Sequence, residues 1–202
     1  MDETAFRYRS YPWGAMELHR PHLTGRLVRL RAPEPLDAEP LNELFNDHEV
    51  RSGIGHPMPQ PTESFLDWIT SARGAPDHLN LTIERLDEGD PIGMCDLMKI
   101  ESATRVAVLG IWIGRPFWDG GYGTDSVRTL CRFGFDHLNL HRIHLQVNAD
   151  NARAIRAYEK VGFVHEGRLR EAAFVHGARL DELVMSVLEG ELKDEPAGSP
   201  SP

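Results

Sequence analysis

Residues 106–147 read VAVLGIWIGRPFWDGGYGTDSVRTLCRFGFDHLNLHRIHLQV. Val106 to Gly114 is an apolar run of strand length. A turn follows, with glycine at 120, 121 and 123. Val127, Leu130, Cys131, Phe135 and Leu138 then recur at helical spacing. From Arg142 to Val147 the apolar Ile143, Leu145 and Val147 alternate with Arg142, His144 and Gln146, the period of a half-buried strand. Strand, turn, helix, strand in this order is a parallel βαβ unit.

Upstream, the spacing predicts strands over Leu79–Arg85 and Pro91–Ile100, joined to the first by hairpin turns at 87–90 and 101–104. Leu27–Arg31 reads as a further strand and Leu36 to about Asp47 as a helix. Arg51 to Pro61, with two Gly and three Pro, reads as a loop. Thr62 can cap a helix carrying Phe65, Leu66, Ile69 and Ala72. Downstream, a helix is expected from Asn151 to Val161. A hairpin should turn at His176-Gly177, between Glu171–Val175 and Leu180–Leu188. An antiparallel meander joined to one parallel crossover makes the chain α+β, with a mixed, mostly antiparallel central sheet and flanking helices. Residues 1–22 show no clear period and read as an N-terminal extension. The end, 191–202, is rich in Pro, Ser and Gly and reads as a disordered tail.

The length of 202 residues suits one domain with a substantial core. With 41% hydrophobic and 26% charged residues, the balance is that of an ordinary soluble domain. No apolar run reaches the ~18 residues that a membrane span needs, and the N-terminus lacks the order of a secretory signal, so a cytoplasmic protein is expected. The formal net charge of −9 argues against nucleic-acid binding, which needs a basic face. It suits a cationic substrate, or simply solubility. Cys95 and Cys131 fall in apolar runs and read as buried thiols. Neither has zinc spacing, and His141 and His144, three apart, point to opposite strand faces, so no metal is expected.

A glycine turn that opens a helix can admit a ligand close to its backbone. The free N–H groups of the first helical turn, with the helix dipole, make an anion site. The turn lacks the lysine of a P-loop, and Ser126 stands where a dinucleotide fingerprint needs glycine. The second segment is Asn151-x-x-Ala154-x-x-x-Tyr158-x-x-x-Gly162-Phe163. Read alone, Asn151 is an N-cap, Tyr158 a half-buried aromatic and Gly162 a helix terminator.

Together the two segments resemble the GNAT acyltransferase family, whose motifs read Gln/Arg-x-x-Gly-x-Gly/Ala and Asn-x-x-Ala/Ser-x-x-x-Tyr-x-x-x-Gly-Phe. The first stands here as Trp118-x-x-Gly121-x-Gly123 and departs at Trp118; the second matches throughout. The likeness covers about residues 23–190, which it marks as an acyl-CoA N-acyltransferase domain. Phe117-Trp118, Gly121-Tyr122-Gly123-Thr124 and Met185-Ser186-Val187-Leu188 resemble the branch that acetylates N-termini of ribosomal proteins.

The resemblance implies acetyl-CoA as co-substrate and a primary amine as acceptor. A peptide or protein N-terminus is favoured, with a polyamine or aminoglycoside as the alternative. A sensor that binds acyl-CoA without chemistry is the competing class. The acyl-pantetheine arm would pair with Ile111-Trp112-Ile113. Trp118, Asp119, Gly120, Gly121, Tyr122, Gly123 and Thr124 would hold the pyrophosphate. Asn151 would bond the arm, and Tyr158 would lie at the sulfur as general acid. Related sequences often carry glutamate two residues before the glycine matching Gly110, where this chain has Val108. Glu101, Asp96 or a water chain is left as the base, and Glu101 can equally be turn chemistry. Many relatives pair, which leaves a homodimer open.

Overall fold

In the computed structural model the described residues are 23–56, 58–71 and 75–194. The extension over 1–22 and the expected helical position Ala72 lie outside them.

Seven strands form one sheet: β1 (Val28–Arg31), β2 (Leu79–Arg85), β3 (Pro91–Glu101), β4 (Val106–Ile113), β5 (Arg142–Asn148), β6 (Val164–Val175) and β7 (Ala178–Leu188). Their order is β1-β2-β3-β4-β5-β7-β6. β4 and β5 are parallel and every other pair is antiparallel. The mixed sheet expected from the sequence is therefore present. The helices are α1 (Ala38–Phe45), α2 (His48–Gly53), α3 (Thr62–Ser71), α4 (Tyr122–Leu138) and α5 (Ala152–Val161).

The helices cover both faces. On one, Val127, Leu130, Cys131 and Phe135 of α4 and Tyr158 and Val161 of α5 pack with Leu97, Leu109, Ile113, Ile143 and Leu145 of the sheet. On the other, Leu41 and Phe45 of α1 and Phe65 and Ile69 of α3 enclose Met94 and Trp112. Fully burying each large apolar side chain contributes roughly 1.5–3 kcal/mol, so two stacked layers suffice to hold a sheet of this size. Both cysteines are buried free thiols, and burial pushes their pKa values up.

Asp125, in the first turn of α4, fixes that helix to the start of β1. Its carboxylate accepts the backbone N–H groups of Arg26 (3.2 Å), Leu27 (2.7 Å) and Val28 (3.1 Å). α4 ends at Asn139, which takes a left-handed conformation (φ 55°), and Leu140 N–H returns to Gly134 O at 3.0 Å.

Three local expectations are corrected. The first helix is split by Asp47, whose side chain accepts from Glu49 N and Val50 N and starts α2, so 51–53 is helix rather than loop. Thr62 lies inside α3 instead of capping it, and its hydroxyl accepts from Asn42 Nδ2 at 2.9 Å. β6 begins at Val164, seven residues before the expected Glu171. Most of it is exposed on both faces, so it carries no alternating pattern. Past Gly190 the chain still packs: Lys193 N–H donates to Val161 O (2.9 Å), and Lys193 O accepts from Arg128 Nε (3.1 Å). Residues 195–202 of the expected tail lie outside the described residues.

Candidate active site

β4 and β5 pair only at Val106–Arg142, Ala107–Ile143 and Val108–His144. Beyond these the strands diverge. β3 pairs with the other edge of β4 as far as Ile113. Among the described residues, the stretch from Leu109 to Ile113, about 13 Å at strand rise, has no strand partner on its β5 side. Its backbone groups there can add an extended, amide-bearing chain.

Directly beyond β4 lies the glycine turn. Gly121 caps α4 in the left-handed region (φ 85°), which L side chains rarely adopt. Asp119 is left-handed too (φ 61°). The first intrahelical bond runs from Asp125 N–H to Gly121 O at 3.1 Å. The N–H groups of Tyr122, Gly123 and Thr124 therefore stand before the helix ladder begins, at the positive end of the dipole. An amide-rich arm ending in a diphosphate fits this set: an unpaired strand edge leading to an anion cradle.

Trp118, the departure from the family pattern, has two contacts. Its Nε1 donates to Ile113 O at 2.7 Å, tying the turn to the end of β4. The guanidinium of Arg153 lies 3.7 Å above its ring centre. Arg153 stands at an unspecified position of the second motif, so the motif does not single it out. The paired cation and ring could have been suspected only from Trp118 standing where relatives carry a polar residue. Burial pulls the Arg153 pKa down, while Asp119, Tyr158 and Glu49 act the other way.

Asn151 caps α5 by accepting Ala154 N–H on Oδ1 at 3.1 Å. Tyr158 is buried, 8% exposed, with its ring 5.7 Å from that of Phe163. Its hydroxyl makes no hydrogen bond among the described residues, and burial pushes its pKa up to about 12. The expected arm residues split by face: Ile111 and Ile113 lie with α4, whereas Trp112 sits among the aromatic rings of Phe45 and Phe65. Trp112 Nε1 is buried without a partner among the described residues.

Glu101 is not brought to the gap. It is exposed at the β3–β4 turn, where it accepts the Thr104 hydroxyl at 2.5 Å. Its register partner, Val106, is at the closed end of the splay. Asp96 lies opposite Gly110, inside the open stretch. The acidic Asp47 and Glu49 of α2 stand 3.8 Å from Arg115, just before the turn. The tip of the β6–β7 hairpin reaches the same helix, with the His176 ring 4.6 Å from that of His48.

The GNAT acetyltransferase domain model matches residues 27–164, well over half of the chain. A Bacillus subtilis protein, YdaF, described as a candidate ribosomal N-acetyltransferase, is 28% identical over 179 residues, covering 86% of this chain and 95% of that one. The spermidine N(1)-acetyltransferase of Vibrio cholerae is 30% identical over 167 residues, covering 81% and 94%. A crystal structure of spermidine N-acetyltransferase from Vibrio cholerae with CoA and spermine superposes with a TM-score of 0.75 at 26% identity, over 82% of this chain and 97% of that one. No helix among the described residues is long and apolar enough to cross a membrane.

Proposed function

The chain belongs to the GNAT acetyltransferase family and is an acetyl-CoA-dependent N-acetyltransferase, and from that premise we propose that its first acceptor is the α-amine at a peptide or protein N-terminus. One observation supports the transfer chemistry above the rest: the gap between β4 and β5 runs straight into the left-handed cap of α4.

The chain's own groups have these parts. The N–H groups of Tyr122, Gly123 and Thr124 hold the pyrophosphate of the co-substrate. The open edge from Leu109 to Ile113 orients its arm by backbone hydrogen bonds. Asn151 spends Oδ1 on its cap, which leaves Nδ2 to donate to an arm carbonyl. Tyr158, held protonated by burial, gives its proton to the departing sulfur.

The amine must lose its extra proton before it attacks the thioester. An α-amine, with a pKa of about 8, gives that proton up more readily near neutral pH than a lysine-like amine at about 10.4. Asp47 and Glu49 beside Arg115, and Asp119 in the glycine turn, favour the approach of either cation. Those acids also favour a second reading, a polyamine acceptor, which the likeness to spermidine acetyltransferases supports. Thiol release from acetyl-CoA, measured with peptides beginning in Ser, Ala or Thr against spermidine, spermine and aminoglycosides, separates the two. A kcat/KM at least tenfold higher for the peptides supports the first reading. The reverse order sinks it in favour of the second.

A further inference from the structure

Val108 leaves this chain without an acidic side chain at the β4 position where related sequences often have glutamate. The neighbouring strand supplies one. Asp96 of β3 pairs with Gly110 of β4, and Met98 with Val108, so Asp96 and Val108 share the sheet face that carries Trp112. Gly110 has no side chain, and Asp96 Oδ1 fills that space: a Cβ at 110 would collide with it. The carboxylate therefore lies over β4 at Gly110, within the stretch that β5 does not pair. Its other oxygen, Oδ2, lies 3.2 Å from His78 Nε2. The Asp96 side chain is 21% exposed and that of His78 32%.

We propose that Asp96 is the general base of this acetyltransferase, taking the amine's proton at the Gly110 position and passing it to solvent through His78. The proposal rests on the transfer reading above. Direction along β4 supports it. The pyrophosphate cradle follows the C-terminal end of β4, so an arm running back from it along Ile113, Trp112 and Ile111 ends at Gly110 and Leu109. The acyl carbon then lies where β4 begins to leave β5. Tyr158 packs on the α4 face of the sheet and Asp96 on the α1–α3 face. Only a carbonyl threaded through the gap meets both.

The step balances. Asp96 takes one proton from the ammonium, and the freed lone pair forms the N–C bond. The C–S bond breaks with its electrons to sulfur, which takes the Tyr158 proton. The second proton of the new amide nitrogen restores Tyr158, and His78 discharges the proton on Asp96 to water.

The groups around Asp96 leave its charge to few influences. Burial raises its pKa from the ordinary carboxylate value, while His78 and, more weakly, a backbone hydrogen bond from Gly110 lower it. β2 presents Asn80, whose amide bonds Ile69 O at 3.2 Å. β4 presents Gly110 and Val108, neither charged. Cys95, the adjacent thiol, stays protonated through burial and lies on the other face.

The test compares pH profiles of kcat/KM for the full chain, Asp96→Asn, His78→Ala and the double variant Asp96→Asn/Val108→Glu, with acetyl-CoA affinity measured alongside. Wild-type turnover tests the transfer reading; the variants, compared with it, test the base. Asp96→Asn should bind acetyl-CoA normally, lose on the order of 10²–10⁴ in kcat/KM and lose the acidic limb that lies below the amine's own titration. Val108→Glu in that background should recover at least tenfold. Where Asp96→Asn does not fold, His78→Ala decides: without its lowering influence the limb moves to higher pH. Activity of Asp96→Asn within threefold of wild type overturns the proposal. So does an unmoved limb in His78→Ala, or a double variant no better than the single one.

Discussion

Replacing Tyr158 with Phe removes one hydroxyl and little else. The ring keeps its contact with Phe163, and no hydrogen bond to described residues is lost. Folding stability should stay within about 0.5 kcal/mol, so unfolding midpoints should agree closely. The chemistry should not. A positioned general acid is worth roughly 10²–10⁴ in rate, or about 2.7–5.4 kcal/mol of barrier. A pKa of about 12 places the loss near the lower end, because a phenol that holds its proton this tightly is a reluctant donor to a thiolate whose free pKa is about 8.5. The expected outcome is a fall in kcat of about 10²-fold with acetyl-CoA affinity within twofold. The same pKa keeps Tyr158 protonated across pH 6–10, so no basic limb of the wild-type profile in that window belongs to it. Stopped-flow detection of the released thiol measures kcat, and equilibrium titration gives the affinity. A kcat unchanged in Tyr158→Phe, or a loss confined to affinity, refutes the acid role.

Gly121→Ala places a side chain at φ 85°, at a cost of about 1–2 kcal/mol, with its Cβ 3.3 Å from Leu27 Cδ1. The cradle must shift, and acetyl-CoA affinity should fall about tenfold by calorimetry. Asp125→Ala strips three backbone N–H groups of their acceptor. It should cost about 3 kcal/mol and lower Tm by roughly 6–12 °C. Glu166 should govern part of the acid stability. The Arg142 guanidinium, then the Ser186 hydroxyl, hold its carboxyl at about 2, below its ordinary 4.5. The folded state releases this proton more readily, so the stabilisation is complete above pH 4.5 and disappears as pH falls towards 2. With the pair part-exposed, screening limits it to about 1 kcal/mol, and Glu166→Gln should flatten urea-measured stability over that window by this amount.

Much of the fold was readable because its signals are local. The alternation of Ile143, Leu145 and Val147 and the helical spacing of Val127, Leu130, Cys131 and Phe135 place β5 and α4 without tertiary knowledge, and all seven are buried. Asn151 as a cap was readable for the same reason. The start of α2 was hidden because a single side chain, Asp47, decides it. The first seven residues of β6 were hidden because a segment exposed on both faces has no hydrophobic period. At the site, the glycine turn and the helix start that follows it are contiguous in sequence and were legible. The Arg153–Trp118 contact and the Asp96–His78 pair were not, since each joins side chains from different elements. Strand register, not spacing along the chain, puts Asp96 at Gly110.

The most direct measurement is a crystal structure of the full chain with a thioether analogue of acetyl-CoA, which cannot transfer its acyl group. The arm should lie in the β4–β5 gap with its phosphates on the N–H groups of Tyr122, Gly123 and Thr124. Its acyl end should sit beside Gly110, between Tyr158 on one face and Asp96 on the other. An arm bound outside the gap, or an acyl end at the Glu101 end of β4, would contradict this arrangement.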